Sequence, residues 1–120
     1  MERYAIVHAN NSRQNESMKQ INSITGYHAH VYFDADSLER ARGLCQSAAE
    51  LFGVKMGRVH EKAVGPHPKG SCQLGASPEQ LAQMLPWLAM NRQGLVVFAH
   101  PETGNDLQDH RDHGIWLGTG

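Results

Sequence analysis

Two imidazoles separated by a single alanine, in Tyr27-His28-Ala29-His30-Val31-Tyr32-Phe33, are the groups of this chain best placed to do chemistry. Extended backbone sends successive side chains to opposite faces. Tyr27, Ala29, Val31 and Phe33 therefore share an apolar face, while His28, His30 and Tyr32 stand together on the other. Two imidazoles and a phenol on one surface cost packing unless a ligand or a proton uses them. The chemistry open to such a set is metal ligation or acid/base catalysis. Two further histidines occupy positions of interest: His67, inside Gly65-Pro66-His67-Pro68-Lys69-Gly70, and His100, closing Leu95-Val96-Val97-Phe98-Ala99-His100. Neutral imidazole is the commonest metal ligand, and histidines with open coordination positions suit iron(II), zinc or manganese. A lone histidine on a strand is usually structural, but two on one face with a third brought beside them favour a site.

Other ionisable groups are weaker candidates. The loop of His67 places it either over the pocket or in solvent. Glu61 has the chemistry of the carboxylate in a two-histidine, one-carboxylate iron site, although a glutamate on an edge strand is usually solvated. Asp109-His110 and Asp112-His113 are candidate carboxylate–histidine pairs for orientation or proton transfer; for His113 a solvated loop followed by a short strand, 115–117, is favoured. Trp87 and Trp116 are expected in the core or a dimer interface. No GxGxxG or GxxxxGK[ST] spacing occurs among the glycines, and Ser71-Cys72 lacks the context of a nucleophile elbow, so phosphate-loop and serine or cysteine hydrolase chemistry have no support.

The elements that must position these groups alternate between strand and helix. After the strand at 27–33, Asp36 is expected as N-cap of a helix with Glu39 completing a capping box. Leu38, Ala41, Leu44, Cys45, Ala48, Leu51 and Phe52 fall at helical spacing, and Gly53 suits the helix stop. Residues 54–60 read as a weak edge strand containing Gly57, and 71–75 as a short strand with Cys72 and Leu74 facing the core and Gln73 on the histidine side. Ser77, Pro78 and Gln80 open a second helix buried through Leu81, Met84, Leu85 and Leu88, which Pro86 should kink or divide and which should end near Gly94. Residues 95–100 form the fourth strand. The order β-α-β-β-α-β is that of an α+β, ferredoxin-like fold with a four-stranded antiparallel sheet and both helices on one face. Such a sheet puts its first strand in the middle, with the end of the fourth, carrying His100, beside His28. Its other face is left for a partner subunit or a pocket.

Composition narrows the class. With 120 residues, 40% hydrophobic and 19% charged, the chain suits one domain, 26–120, preceded by a polar flexible extension, 1–25, with a short strand at 4–7. A formal net charge of −1 with mixed signs argues against nucleic acid or an acidic membrane surface as partner. No apolar run approaches the roughly 18 residues that span a bilayer, and no signal-peptide pattern is present, so a cytoplasmic location is expected. Cys45 and Cys72 form no CxxC pattern and read as small buried hydrophobes.

Taken together, Tyr27 to Phe33, Gly65-Pro66-His67-Pro68, Leu95 to Gly104 with its His100-Pro101-Glu102-Thr103-Gly104 ending, Asp109-His110 and Trp116-Leu117-Gly118 resemble the DOPA extradiol dioxygenases (DOPA 4,5-dioxygenases), known from fungal pigment biosynthesis and from many bacterial homologues. The resemblance covers Gly26 to the C-terminus. It implies an iron(II) enzyme that opens a catechol ring beside its two hydroxyls with both atoms of dioxygen, zinc or another divalent metal being the alternative cofactor. It also implies His30, His67 and His100 as metal ligands, His28 as ligand or acid/base residue, and Tyr32 and His110 as catalytic pocket groups. Two alternatives are a non-enzymatic metal- or small-ligand-binding module on the same dimeric scaffold and a cofactor-free monooxygenase of the dimeric α+β-barrel type. The open sheet face predicts a homodimer: light scattering at micromolar concentration should give twice the chain mass, and a monomer would contradict this architecture.

Overall fold

The computed structural model describes residues 21–60 and 70–118. The expected strand at 4–7, Glu61 and the His67 loop lie outside these residues. Strand β1 (Gly26–Phe33) runs through the middle of a five-stranded antiparallel sheet in which β2 (Lys55–His60), β3 (Gly70–Ala76), β1, β4 (Val97–Glu102) and β5 (Ile115–Leu117) follow in that order. The first four strands keep the expected ferredoxin-like order. The short strand expected at 115–117 is β5, and it joins the sheet along Val97–Ala99 of β4, making five strands where four were expected.

Helices α1 (Leu38–Phe52) and α2 (Pro78–Asn91) cover the face made by Ala29, Val31 and Phe33 of β1, Cys72, Leu74 and Ala76 of β3, and Val97 and Ala99 of β4. Ala41, Leu44, Cys45 and Ala48 of α1 and Leu81, Met84 and Leu88 of α2 complete the core at helical spacing. Both cysteines are reduced and buried there. Trp87 meets Phe52 edge to face between the two helices. Gln80 ties the helices together: its side chain closes the Ser77 capping box, and its amide donates to the Phe52 and Gly53 carbonyls at 3.3 and 3.2 Å.

Several local expectations need correction. Asp34, rather than Asp36, is the capping residue before α1. It accepts from the Asp36 and Ser37 amides and closes a capping box around a one-turn 3-10 helix, Ala35–Ser37, and the α-helix continues from there. Pro86 does not divide α2, because it sits on the exposed side of a helix anchored by Met84 and Leu88. There water can satisfy the carbonyl that loses its donor. The helix stops at Asn91, and the chain reverses through left-handed Gln93 and Gly94 (φ 51° and 81°), so β4 starts two residues later than expected and runs on to Glu102. The segment after β4, expected as a loop, contains a six-residue helix α3 (Asp106–Arg111), capped by Asn105. The weak second strand is at the sheet edge as expected, with its pairing to β3 shifted between Met56 and Val59 around Gly57.

Pro101 is accommodated because β5 accompanies β4 only as far as Ala99, leaving Pro101 on a strand edge that is unpaired among the described residues. Its opposite number on β1 is Tyr27. The Tyr32 amide donates to the Val96 carbonyl, and hydrogen-bonded and non-bonded pairs alternate from there. By that alternation the missing donor of Pro101 faces away from β1.

Core packing sets a clear stability contrast. Leu74→Ala, at a side chain with no solvent exposure, should lower unfolding free energy by about 2–5 kcal/mol in urea titrations. Met90→Ala, at an 84% exposed residue, should change it by no more than about 0.5 kcal/mol.

Candidate metal centre

Alternation along three neighbouring strands gathers polar and aromatic groups on the sheet face opposite α1 and α2. His28 and His30 project from β1, Gln73 from β3 opposite His30, and Phe98, His100 and Glu102 from β4. The register places His28 against His100 and His30 against Phe98. Helix α3 lies over β4 on this side and carries His110, whose ring centroid is 3.8 Å from that of His100. Together His28, His30, Gln73, His100, Asp106, Leu107 and His110 line a hollow of about 390 Å³.

His30 and His100 are almost fully buried, at 3% and 1% exposure, and their Nε2 atoms stand 3.1 Å apart. His100 Nδ1 donates to the Pro101 carbonyl at 3.1 Å, which leaves the lone pair on Nε2 in the neutral ring. His28 Nδ1 lies 2.7 Å from Glu102 Oε1, and one nitrogen from each of His28, His30 and His100 falls within a group spanning no more than 4.8 Å. Metal–imidazole bonds are about 2.0–2.1 Å, so two ligands at right angles on one ion have nitrogens about 3 Å apart. The His30–His100 separation fits that geometry, and a nitrogen of the partly exposed His28 lies within 4.8 Å of both. Three neutral imidazoles suit iron, zinc or another divalent metal.

The electrostatics favour a neutral ring at His100. Burial pushes the His100 pKa below its ordinary value, assisted by His110 and His28. The Pro101 carbonyl and the Glu102 carboxylate oppose this without reversing it. Asp109, also buried, accepts from the Thr103 amide at 2.8 Å and the Thr103 hydroxyl at 2.6 Å. Burial raises its carboxyl, but these bonds and the nearby His100 and His113 outweigh it and hold the group below the usual carboxylate range. This staple fixes the turn from β4 into α3.

A family model, the Dopa 4,5-dioxygenase family, matches residues 27–120. The chain belongs to this family. It is 32% identical over 104 residues to DOPA 4,5-dioxygenase of Amanita muscaria, an alignment covering 79% of this chain and 46% of that protein. It is also 32% identical over 104 residues to an uncharacterized 21.2 kDa protein of Botryotinia fuckeliana, covering 77% and 57%. The chain thus spans about half the length of these relatives. A crystal structure from Nostoc punctiforme bearing the name "putative dioxygenase" superimposes with a TM-score of 0.84 at 42% identity, covering 86% of this chain and 90% of that one.

Within this family member, three of the four histidines singled out by sequence meet at one place, and His67 lies outside the described residues. Tyr32 shares the face but stands beyond His30, 6.3 Å from Trp116 between ring centroids, and burial pushes its phenol up to about 12. Trp116 is half-exposed on the same face, its ring tilted against that of Phe98 with centroids 4.4 Å apart. His110 bonds through Nδ1 to the Asp106 carbonyl at 2.7 Å rather than to adjacent Asp109. Asp112 pairs with Arg111, and His113 Nδ1 stands 4.0 Å from Asp109. Glu102 was not singled out as a functional residue, although its place two residues after His100 puts it on the same strand face. Leu107 and Asp106 had no such signal, because they depend on α3.

The buried neutral imidazole makes stability depend on pH. Unfolded His100 gains a proton as pH falls through about 6.5, whereas the folded ring resists until a lower pH. The unfolded state then binds more protons, and stability drops on acidification. Thermal unfolding of metal-free protein should show Tm falling between pH 7 and 5, with a shallower slope in His100→Gln.

Proposed function

We propose that the chain is an extradiol ring-cleaving dioxygenase acting on DOPA or a related catechol, with iron(II) held by His28, His30 and His100. The observation that supports this most is the convergence of those three imidazoles on the open face of a dioxygenase-family fold. His67 remains a candidate fourth ligand. When bound, the ion brings catechol and dioxygen together and passes electron density between them.

The protein's own groups supply the rest. His110 donates Nδ1–H to a backbone carbonyl, so its neutral ring keeps Nε2 as a base within reach of the hollow, suited to taking a catechol proton and returning it later. Leu107 provides apolar surface for an aromatic ring, and the Gln73 amide can hydrogen-bond a substrate oxygen. In the homodimer expected for this architecture, the open face lies at or near the subunit interface.

Anaerobic reconstitution with iron(II), followed by oxygen and DOPA or simpler catechols, should give a yellow ring-opened product with one dioxygen consumed per catechol. His30→Ala and His100→Ala should each lower turnover by roughly two orders of magnitude or more and lose bound metal. Stoichiometric metal binding without oxygen consumption with any catechol would leave a binding module instead. Turnover persisting in strong chelator would point to cofactor-free oxygenation.

A further inference from the structure

The three imidazoles are not held in equivalent ways. His30 and His100 are buried and face one another, and His100 is oriented by a neutral acceptor, the Pro101 carbonyl. His28 is 36% exposed at its side chain, and its Nδ1 meets a carboxylate, Glu102 Oε1, at 2.7 Å. Glu102 is itself fixed, because Thr25 donates twice to its backbone carbonyl, from the amide at 2.9 Å and from the hydroxyl at 3.0 Å. Its register partner on β1 is Gly26, where a Cβ would already stand 3.2 Å from the Ala76 carbonyl. The backbone around the carboxylate is thus closely constrained at the paired ends of β1 and β4.

We infer that Glu102 is a positioning residue that holds His28 as its Nδ1–H tautomer, leaving Nε2 as the donor atom offered to the metal. An ionised carboxylate can only accept, so the proton of the neutral imidazole must sit on Nδ1. A carboxylate behind a ligating histidine also fixes the ring plane and strengthens the nitrogen as a donor. This matters most at His28, which lacks the enclosing walls that lock His30 and His100. The tripeptide His100-Pro101-Glu102 then has three tasks: a ligand, that ligand's orienting carbonyl, and the carboxylate orienting a second ligand on the neighbouring strand. The role at the metal rests on the proposed centre; the tautomer is a property of the metal-free protein.

The test uses uniformly 15N-labelled, metal-free full chain at alkaline pH, where the imidazoles are neutral. Long-range 1H–15N correlations distinguish the two tautomers, and His28 is assigned by its loss in His28→Gln. The wild type should show His28 protonated at Nδ1. Glu102→Ala, and Glu102→Gln, whose amide accepts or donates with equal ease, should each convert it to a mixture. The Thr25 bonds go to the backbone and survive both changes. Cobalt(II) titration followed by its visible absorption should show affinity falling about 10–100-fold in both variants. A His28 tautomer that is Nε2–H in the wild type, or unaltered in both variants, overturns the inference, as does cobalt affinity that does not change. If the tautomer and affinity respond as expected but no catechol is cleaved, the positioning role stands and the dioxygenase reading falls. If catechol is cleaved while the tautomer ignores Glu102, the inference alone falls.

Discussion

The pairing of β1 with β4 is the constraint on which the open face depends. Its register sets His28 opposite His100 and His30 opposite Phe98, and the diagonal offset brings the Nε2 atoms of His30 and His100 to 3.1 Å. A slip of one residue would send Ala29 and Val31 to the open face and turn both histidines into the apolar core. The core therefore enforces the site. Ala29, Val31, Val97 and Ala99 are buried against the helices, and the alternate positions have no freedom to point elsewhere. Thr25 clamps one end of this ladder and the Tyr32–Val96 bond the other.

A polar cluster inside such a sheet must satisfy its own hydrogen bonds, since burying an unpaired polar group costs about 1–3 kcal/mol. Here the chain uses local partners. The Pro101 carbonyl serves His100, the Asp106 carbonyl serves His110, and Thr103 serves the Asp109 carboxylate. Each partner lies within a few residues of the group it orients or joins two adjoining elements, so the geometry is assembled with little dependence on distant loops. Close packing supports it: a side chain at Gly114 would collide with the Phe98 ring, which lies between the histidines and Trp116.

Much of this arrangement is legible in the sequence because it follows from alternation. The period of two along 27–33 separates His28 and His30 from Ala29 and Val31, and strand order alone brings His100 beside His28. Gln73 falls on the same face for the same reason. The capping box at Ser77 and the left-handed stop at Gly53 are read from local chemistry and occur where expected. What escapes is set by tertiary context. Asp34 and Asp36 offer the same capping chemistry, and the inserted 3-10 turn selects between them. Helix α3 has only six residues, too short for a hydrophobic period, and is held by Asn105 and the Asp109–Thr103 staple. His110 can be named from sequence, but its contact with the His100 ring depends on that helix. Pro86 is a helix breaker in isolation and an exposed member of a continuous helix here, because the buried face supplies the stability.

Pro101 has a further consequence for how the molecule meets others. Among the described residues no strand accompanies the outer side of β4 beyond Ala99, and such an edge ordinarily invites another chain to add one. By the pairing alternation, the donor that Pro101 lacks is one that would have faced this edge, while its carbonyl is engaged by the His100 ring. The edge beside the histidines therefore offers a poor template for strand addition. A densely paired sheet can in this way carry polar chemistry at its margin without that margin becoming a seed for aggregation.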